Sequence, residues 1–227
     1  MIKVAIAGSE GRMGRRIINL AEKDKEIEIV SKFDLGVNPE PEIAKCDVLI
    51  EFTTPQATVE HAIIAEKLKK SLIIGTTALS GEDNKIIKKA SRNIPIVISP
   101  NMSVGVNLLF KLCQDTARTL PADYKVDMTE IHHVHKKDAP SGTAKRLAEL
   151  ISKERKDAPS NIPIRSERIG EVVGDHKVMF DSETEKIELL HSAKTRDTFA
   201  AGAIRAVKFL KGKKRGLYTM RDVLGIN

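Results

Sequence analysis

Three of the chain's six histidines fall within four positions, in the stretch Glu130-Ile131-His132-His133-Val134-His135-Lys136-Lys137-Asp138-Ala139-Pro140-Ser141-Gly142-Thr143-Ala144. Imidazole is the side chain best matched to proton transfer near neutral pH, and a group that accepts hydride also needs a proton. Immediately downstream, Pro140-Ser141-Gly142-Thr143 opens a helical stretch whose free N–H groups and hydroxyls suit a carboxylate. With Lys136 and Lys137 alongside, the segment points to an acidic substrate. Zinc is the competing chemistry, but HHxH lacks the i, i+4 helical geometry of HExxH and two adjacent lysines would repel a dication, so no metal is expected. A solvated polar loop is the remaining alternative.

A second chemistry-bearing pattern lies at the start, where the run Lys3 to Ala7 leads into Gly8-Ser9-Glu10-Gly11-Arg12-Met13-Gly14. Gly8 would end a strand, Gly11 would admit backbone close to a phosphate, and Gly14 would let a helix pack on the sheet, with its first N–H groups facing a pyrophosphate. The spacing is GxxGxxG, and Glu10 brings negative charge near the phosphates unless it points to solvent. Asp34 lies 20 positions after Gly14, where a carboxylate accepts hydrogen bonds from the adenosine ribose hydroxyls. Its neighbour Leu35 offers nothing to a 2′-phosphate, although Arg12 or Lys32 could; the pair points to NADH in preference to NADPH. A turn aspartate before Gly36 is the alternative reading of Asp34. Two further segments, Phe52-Thr53-Thr54-Pro55 and Gly75-Thr76-Thr77, leave expected strand ends and bring small hydroxyl residues towards a nicotinamide or ribose. Ser99-Pro100-Asn101-Met102 ends the last such strand and suggests both cofactor contact and a crossing between lobes.

The elements that must position these groups change character along the chain. Apolar runs at Lys3–Ala7, Ile27–Phe33, Asp47–Phe52, Ser71–Ile74 and Pro95–Ser99 alternate with helical stretches at Gly14–Asp24, Ala57–Lys70 and Glu82–Ser91. This spacing implies βαβ units and a doubly wound, Rossmann-type parallel sheet. From Val104 the order becomes a helix to Leu120, a strand Lys125–Ile131, a helix Gly142–Lys156, and strand-like stretches at Ile164–Ile169, His176–Phe180 and Lys186–Leu190. A second α+β domain with a mixed or antiparallel sheet follows, and helical stretches at Thr198–Leu210 and Met220–Leu224 return to the first lobe. The expected division is a dinucleotide-binding domain of residues 1–103 and 196–227 and a second domain of residues 104–195.

The 227 residues carry 38 Lys+Arg against 31 Asp+Glu, a formal charge of +7 that favours anionic partners without choosing among them. No apolar run is long enough to cross a bilayer, and the apolar N-terminus is too short for a signal peptide, so a cytoplasmic protein is expected. Cys46 and Cys113, the only cysteines, lack CxxC spacing and read as free buried thiols.

With these residues assembled, the chain resembles the 4-hydroxy-tetrahydrodipicolinate reductase (dihydrodipicolinate reductase) family of the diaminopimelate route to lysine. The resemblance runs through the glycine turn as GxxGRMG, Phe52 to Pro55, Gly75 to Thr77, Asn101-Met102-Ser103-Val104-Gly105-Val106-Asn107, Glu130 to Ala144 and Met220-Arg221-Asp222-Val223-Leu224; E-x-HHxxKxDAPSGTA is its most specific block. It implies hydride transfer from NAD(P)H to C4 of a cyclic dicarboxylate after loss of its 4-hydroxyl as water. His132 then matches the proton donor and acceptor, and Lys136 the second donor. His133, Ser141, Gly142 and Thr143 match substrate binders. Gly8, Ser9, Glu10, Gly11, Arg12, Met13, Asp34, Gly75, Thr76, Thr77, Ser99, Pro100, Asn101 and Met102 match cofactor contacts. The resemblance also implies a second lobe that binds substrate and forms a homotetramer, and it marks the stretch between Gly36 and Ala44 as a trimmed loop.

Two other classes compete. Another two-domain dehydrogenase of amino-acid metabolism, if acylating, needs an activated cysteine, and neither Cys46 nor Cys113 stands in a suitable setting. A nucleotide-sensing, nucleic-acid-binding regulator would use Lys208, Lys211, Lys213, Lys214 and Arg215, a cluster straddling a helix end where cations are favourable anyway. No nucleic acid or membrane partner is therefore expected.

Overall fold

The computed structural model describes residues 1–226 and divides into two compact units, one formed by Met1–Val104 with the segment from Asp197, the other by Gly105–Arg196. In the first unit, β1 (Ile2–Ala7), β2 (Ile27–Phe33), β3 (Val48–Glu51), β4 (Ser71–Ile74), β5 (Pro95–Ile98) and β10 (Gly216–Tyr218) form one parallel sheet in the order β10-β5-β4-β3-β1-β2. Parallel strands covered on both faces must be apolar nearly throughout. Accordingly, every residue of β3 except Glu51 is apolar, and all four are buried. The side chains alternate between two cores. Val4, Ile6, Ile50, Ile73 and Val97 pack with Ile17 of α1 (Arg12–Ala21) and with Ala203, Val207 and Leu210 of α7 (Asp197–Leu210). Ala5, Leu49, Leu72, Ile74 and Ile96 pack with Ala62 and Ala65 of α3 (Pro55–Leu68) and Ile87 of α4 (Gly81–Ala90). The strand order reverses between β1 and β3, so the loops after those strands border the crevice where doubly wound sheets bind ligands.

The expected Rossmann-type sheet is present, and two small elements add to it. The stretch read as a trimmed loop holds α2 (Pro39–Ala44), which Asn38 caps through its side chain and Pro39 begins with a preset φ. Two prolines in six residues had hidden it. The tail contributes β10 as well as α7 and α8 (Met220–Leu224); three residues after a lysine-rich turn are too few to show an alternation.

The second unit carries a four-stranded mixed sheet in the order β7-β6-β8-β9. β6 (Lys125–His132) and β7 (Ile164–Arg168) run parallel, joined through α6 (Gly142–Arg155), while β8 (Asp175–Asp181) and β9 (Lys186–Ser192) are antiparallel. Met128, Val178 and Phe180 pack with Val106, Phe110 and Cys113 of α5 (Val104–Thr119) and with Leu147 and Ile151 of α6. Because strand side chains alternate faces, Glu130 and His132 continue the face that Met128 begins.

One close approach locks α7 onto the first unit. A Cβ added to Gly202 would stand 1.8 Å from the Met102 carbonyl oxygen, a backbone atom that cannot swing aside. Gly202→Ala should therefore cost about 1–3 kcal/mol, as overpacked cores do. Gly81→Ala, which meets nothing within 4 Å, should change thermal unfolding little. Equal melting temperatures for the two variants would refute this packing.

Candidate active site

In the first unit, the parallel strands put the ends of β1, β3, β4 and β5 on one sheet edge, so the expected cofactor segments converge there. Gly8 has φ 77°, and a Cβ on it would lie 2.5 Å from the Phe52 carbonyl oxygen. Gly14 is closed to any side chain, since its Cβ would come within 2.0 Å of the Gly8 carbonyl oxygen. Gly11 caps α1 with no side-chain hydrogen bond, and no acidic residue lies in the first turn, which suits the helix end to an anion. Glu10 pairs its carboxylate with Arg15 of the first turn of α1 at 3.0 Å, both well exposed, so its charge is offset by a neighbouring guanidinium. Arg12 is exposed, and Met13 packs half-buried against the core.

Asp34 performs a task that the ribose reading did not include. Its Oδ2 accepts from the Ser9 hydroxyl at 2.8 Å and from the Glu10 backbone N–H at 2.7 Å, holding the glycine turn against the end of β2. Leu35 beside it is fully exposed, and Lys32 is paired with Glu22 at 2.8 Å. Across the crevice, the Phe52 ring occupies the space a side chain at Gly75 would need, and the Thr53 N–H donates to Thr76 Oγ1 at 3.1 Å. Thr77 is exposed beyond it. The Ser99 hydroxyl donates to the Asn101 carbonyl at 2.7 Å, Asn101 Oδ1 accepts from the Ser103 N–H at 2.9 Å, Pro100 is exposed and Met102 is buried.

Glu51, fully buried at the end of β3, was overlooked as part of this region. Its carboxylate bonds to Thr53 Oγ1 and His61 Nδ1 and lies 3.3 Å from Thr58 Oγ1, tying the loop after β3 to α3. A single acidic residue ending an otherwise apolar strand was the available signal.

In the second unit, Glu130 and His132 stand two apart on β6, both buried, and Glu130 is paired in register with His176 of β8. His132 Nδ1 is bonded to a Glu130 carboxylate oxygen. The His176 ring meets His132 edge-on, with centroids 5.1 Å apart and an interplanar angle of 78°. A Cβ at Gly174 would lie 3.0 Å from His132 Nε2, so this glycine keeps a side chain off that nitrogen. Ser141 caps α6 by accepting from the Ala144 N–H at 3.2 Å, and its hydroxyl also lies 3.2 Å from His176 Nε2. Gly142 and Thr143 form the first turn behind it, with no acidic residue among them. Lys136 Nζ pairs with Asp138 at 2.8 Å, and His133 is half-buried with its ring 6.1 Å from the more exposed His135. His132, Lys136 and Ser141 thus belong to one constellation. Glu130 and His176, given no role in the site by the sequence alone, complete it; i, i+2 spacing on a strand was the signal for Glu130, whereas His176 needed the register between β6 and β8.

Burial pushes the His132 imidazole below its usual range, and the Lys136 and Arg168 charges add to this against the opposing pull of Glu130. Burial alone would raise the Glu130 carboxyl, but the hydrogen bond from Arg168 and the His132 charge hold it low. His176 falls to about 3, chiefly through burial, and so stays neutral. Glu130, His132 and His176 also bring metal-type donor atoms within 4.8 Å of one another. Arg168 Nη2 lies 3.0 Å from Glu130 Oε1 and the other carboxylate oxygen holds His132, so a dication would face two engaged donors and a guanidinium. The arrangement suits proton transfer: a neutral imidazole oriented through Nδ1, with Nε2 beside a residue that has no side chain. Burial raises the two thiols instead, Cys46 to about 11 and Cys113 to about 12, which leaves no activated cysteine.

Comparison with known proteins accounts for nearly the whole chain. Residues 2–102 match the family model described as dihydrodipicolinate reductase, N-terminus, and residues 105–224 match the one described as dihydrodipicolinate reductase, C-terminus. The 4-hydroxy-tetrahydrodipicolinate reductase of Aquifex aeolicus is 43% identical over 263 aligned positions covering 99% of each chain. Its counterpart in Nitrosomonas europaea is 37% identical over 264 positions, 99% of this chain and 98% of its own. Both alignments are longer than the 227 residues here, so these relatives carry residues that this chain lacks. Dipicolinate-bound dihydrodipicolinate reductase from Paenisporosarcina sp. TG-14 shares the fold, with a TM-score of 0.85 over 98% of each chain at 24% identity. The chain belongs to the dihydrodipicolinate reductase family.

Proposed function

We propose that the protein reduces 4-hydroxy-tetrahydrodipicolinate to tetrahydrodipicolinate with NAD(P)H, in lysine and diaminopimelate biosynthesis. The observation that carries this reading is the buried Glu130–His132 pair, set beside Lys136 in the segment most specific to the family. The glycine turn fits a dinucleotide, since its backbone is closed to side chains at Gly8 and Gly14 and it opens a helix with an uncapped, acid-free first turn. When bound, the nicotinamide supplies the hydride.

The chain's own groups supply the rest. The first turn of α6, with Ser141, Gly142 and Thr143, and His133 bind the substrate carboxylates. Neutral His132, with Nδ1 held by Glu130, takes through Nε2 a proton from the carbon between C4 and the ring C=N carbon as the 4-hydroxyl departs with a proton from Lys136 to form water. His132 then returns its proton to that same carbon once C4 has been reduced. The net reaction consumes one reduced nicotinamide and one proton, drawn from Lys136, and releases one water.

Cofactor preference follows from β2's end. The Asp34 carboxylate would repel a 2′-phosphate, exposed Leu35 offers it nothing, and Lys32 is engaged with Glu22. NADH is therefore the preferred donor. The cofactor binds at Gly8, Ser9, Glu10, Gly11, Arg12, Met13, Asp34, Gly75, Thr76, Thr77, Ser99, Pro100, Asn101 and Met102. Among the described residues no helix is long and apolar enough to cross a membrane; we assign the enzyme to the cytoplasm, where its nicotinamide donor is supplied. On the face of the second unit's sheet opposite the one that Ile187 and Leu189 turn to its core, Leu190 of β9 is 65% exposed; we assign that face to self-association as a homotetramer.

Three measurements test this reading. Freshly generated substrate should drive oxidation of NADH faster than of NADPH at equal concentration, and no oxidation of either would overturn it. His132→Gln should lower turnover by roughly 10²–10⁴ with NADH binding retained, and Asp34→Ala should weaken NADH more than NADPH. Because the folded imidazole is depressed and must be neutral to accept the first proton, kcat/KM should fall with acid around a midpoint below 6.5. A midpoint above that value would contradict the assignment.

A further inference from the structure

Arg168, the last residue of β7, lies opposite His132 in the parallel register between β6 and β7. Its guanidinium makes four contacts that run in two directions. Nη2 donates to Glu130 Oε1 at 3.0 Å and also to the Asp138 carbonyl, Nε donates to the Lys136 carbonyl at 3.2 Å, and Nη1 donates to the Glu167 carbonyl at 2.6 Å. The same planar group therefore grips the carboxylate behind His132 and the backbone on either side of the turn that carries Lys136. Backbone bonds close the frame, from the Ile169 N–H to the His132 carbonyl at 2.8 Å and from the Val134 N–H to the Gly170 carbonyl at 3.1 Å.

We propose that Arg168 is a positioning residue that fixes His132 and Lys136 relative to one another by holding Glu130 and the Lys136–Asp138 turn on one guanidinium. This rests on the reaction proposed above. Only a rigid fork with several N–H donors reaches three acceptors of fixed geometry at once; a lysine ammonium is a compact point charge on a flexible stem. A purely structural counter-ion for a buried carboxylate would need the Glu130 contact alone. The loop carbonyls are the surplus that the positioning role explains. The charged and titratable groups around His132 are Glu130 on its own strand, His176 on β8, Arg168 on β7, and Lys136 and Asp138 in the loop. Arg168 is among those that depress the imidazole.

The test compares wild type with Arg168→Lys and Arg168→Met, full-length. Arg168→Lys should lower kcat by roughly 10–100-fold, as small misplacements of reacting groups do, while NADH affinity and melting temperature stay near wild type. In Arg168→Met the His132 titration, followed by nuclear magnetic resonance of its imidazole, should move to higher pH, with the acid limb of kcat/KM moving in parallel. Turnover within about twofold of wild type in both variants would overturn the proposal, as would loss of NADH binding and stability in step with turnover. A wild-type protein without reductase activity would sink the reaction, not the role of Arg168. In that event an unmoved His132 titration in Arg168→Met overturns the positioning role, and a raised one sustains it.

Discussion

The second unit is organised around a carboxylate that has no access to water. Removing a charge from solvent costs several kcal/mol even after relaxation, and the cost is recovered only when every acceptor is used in good geometry. Glu130 meets that condition through groups on different elements: the His132 imidazole two residues along β6, and the Arg168 guanidinium on β7. Those partners impose order on their neighbours. Arg168 draws in the turn that carries Lys136, and His132 sets its ring edge-on against His176, which reaches the cap of α6 through Ser141. Strand register, loop conformation and helix start are thus coupled through a few polar atoms at the end of an apolar sheet face.

The first unit uses a similar device for a different purpose. Glu51 ends an apolar strand and turns its carboxylate inward to Thr53 and His61, while Asp34 at the end of β2 reaches back to the glycine turn. Both shape loops at the carboxyl edge of the sheet. Backbone sterics do the rest: Gly8 and Gly14 approach neighbouring backbone too closely for any side chain. The crevice is thereby shaped by chain geometry, which fits a ligand recognised largely through phosphate and ribose.

Much of this architecture was legible in the residues, for identifiable reasons. Continuous apolar runs separated by helical stretches announced the parallel sheet, because a strand buried on both faces has few other compositions. Histidine density and the helix-opening Ser141 marked the second site. Two kinds of feature were hidden. Short elements such as α2 and β10 carry too few residues to show a period, and α2 is masked further by its prolines. Partners set by tertiary register were also out of reach: His176 lies far along the chain from His132, and only the antiparallel pairing of β6 and β8 brings it there. Asp34 shows a third limit, since its position advertised a ribose contact while its bonds to Ser9 and Glu10 depend on a fold the sequence does not display.

The Glu130–His132 contact is the centre of this account, and nitrogen-15 resonances of the His132 ring in the wild-type protein and in Glu130→Gln test it most directly. Near neutral pH the wild-type ring should be uncharged, with its proton on Nδ1 and Nε2 bare, and losing the carboxylate should lower its titration midpoint further, because Glu130 opposes the depression caused by burial. A wild-type ring protonated on Nε2 alone, or a midpoint that rises on removing Glu130, would contradict it.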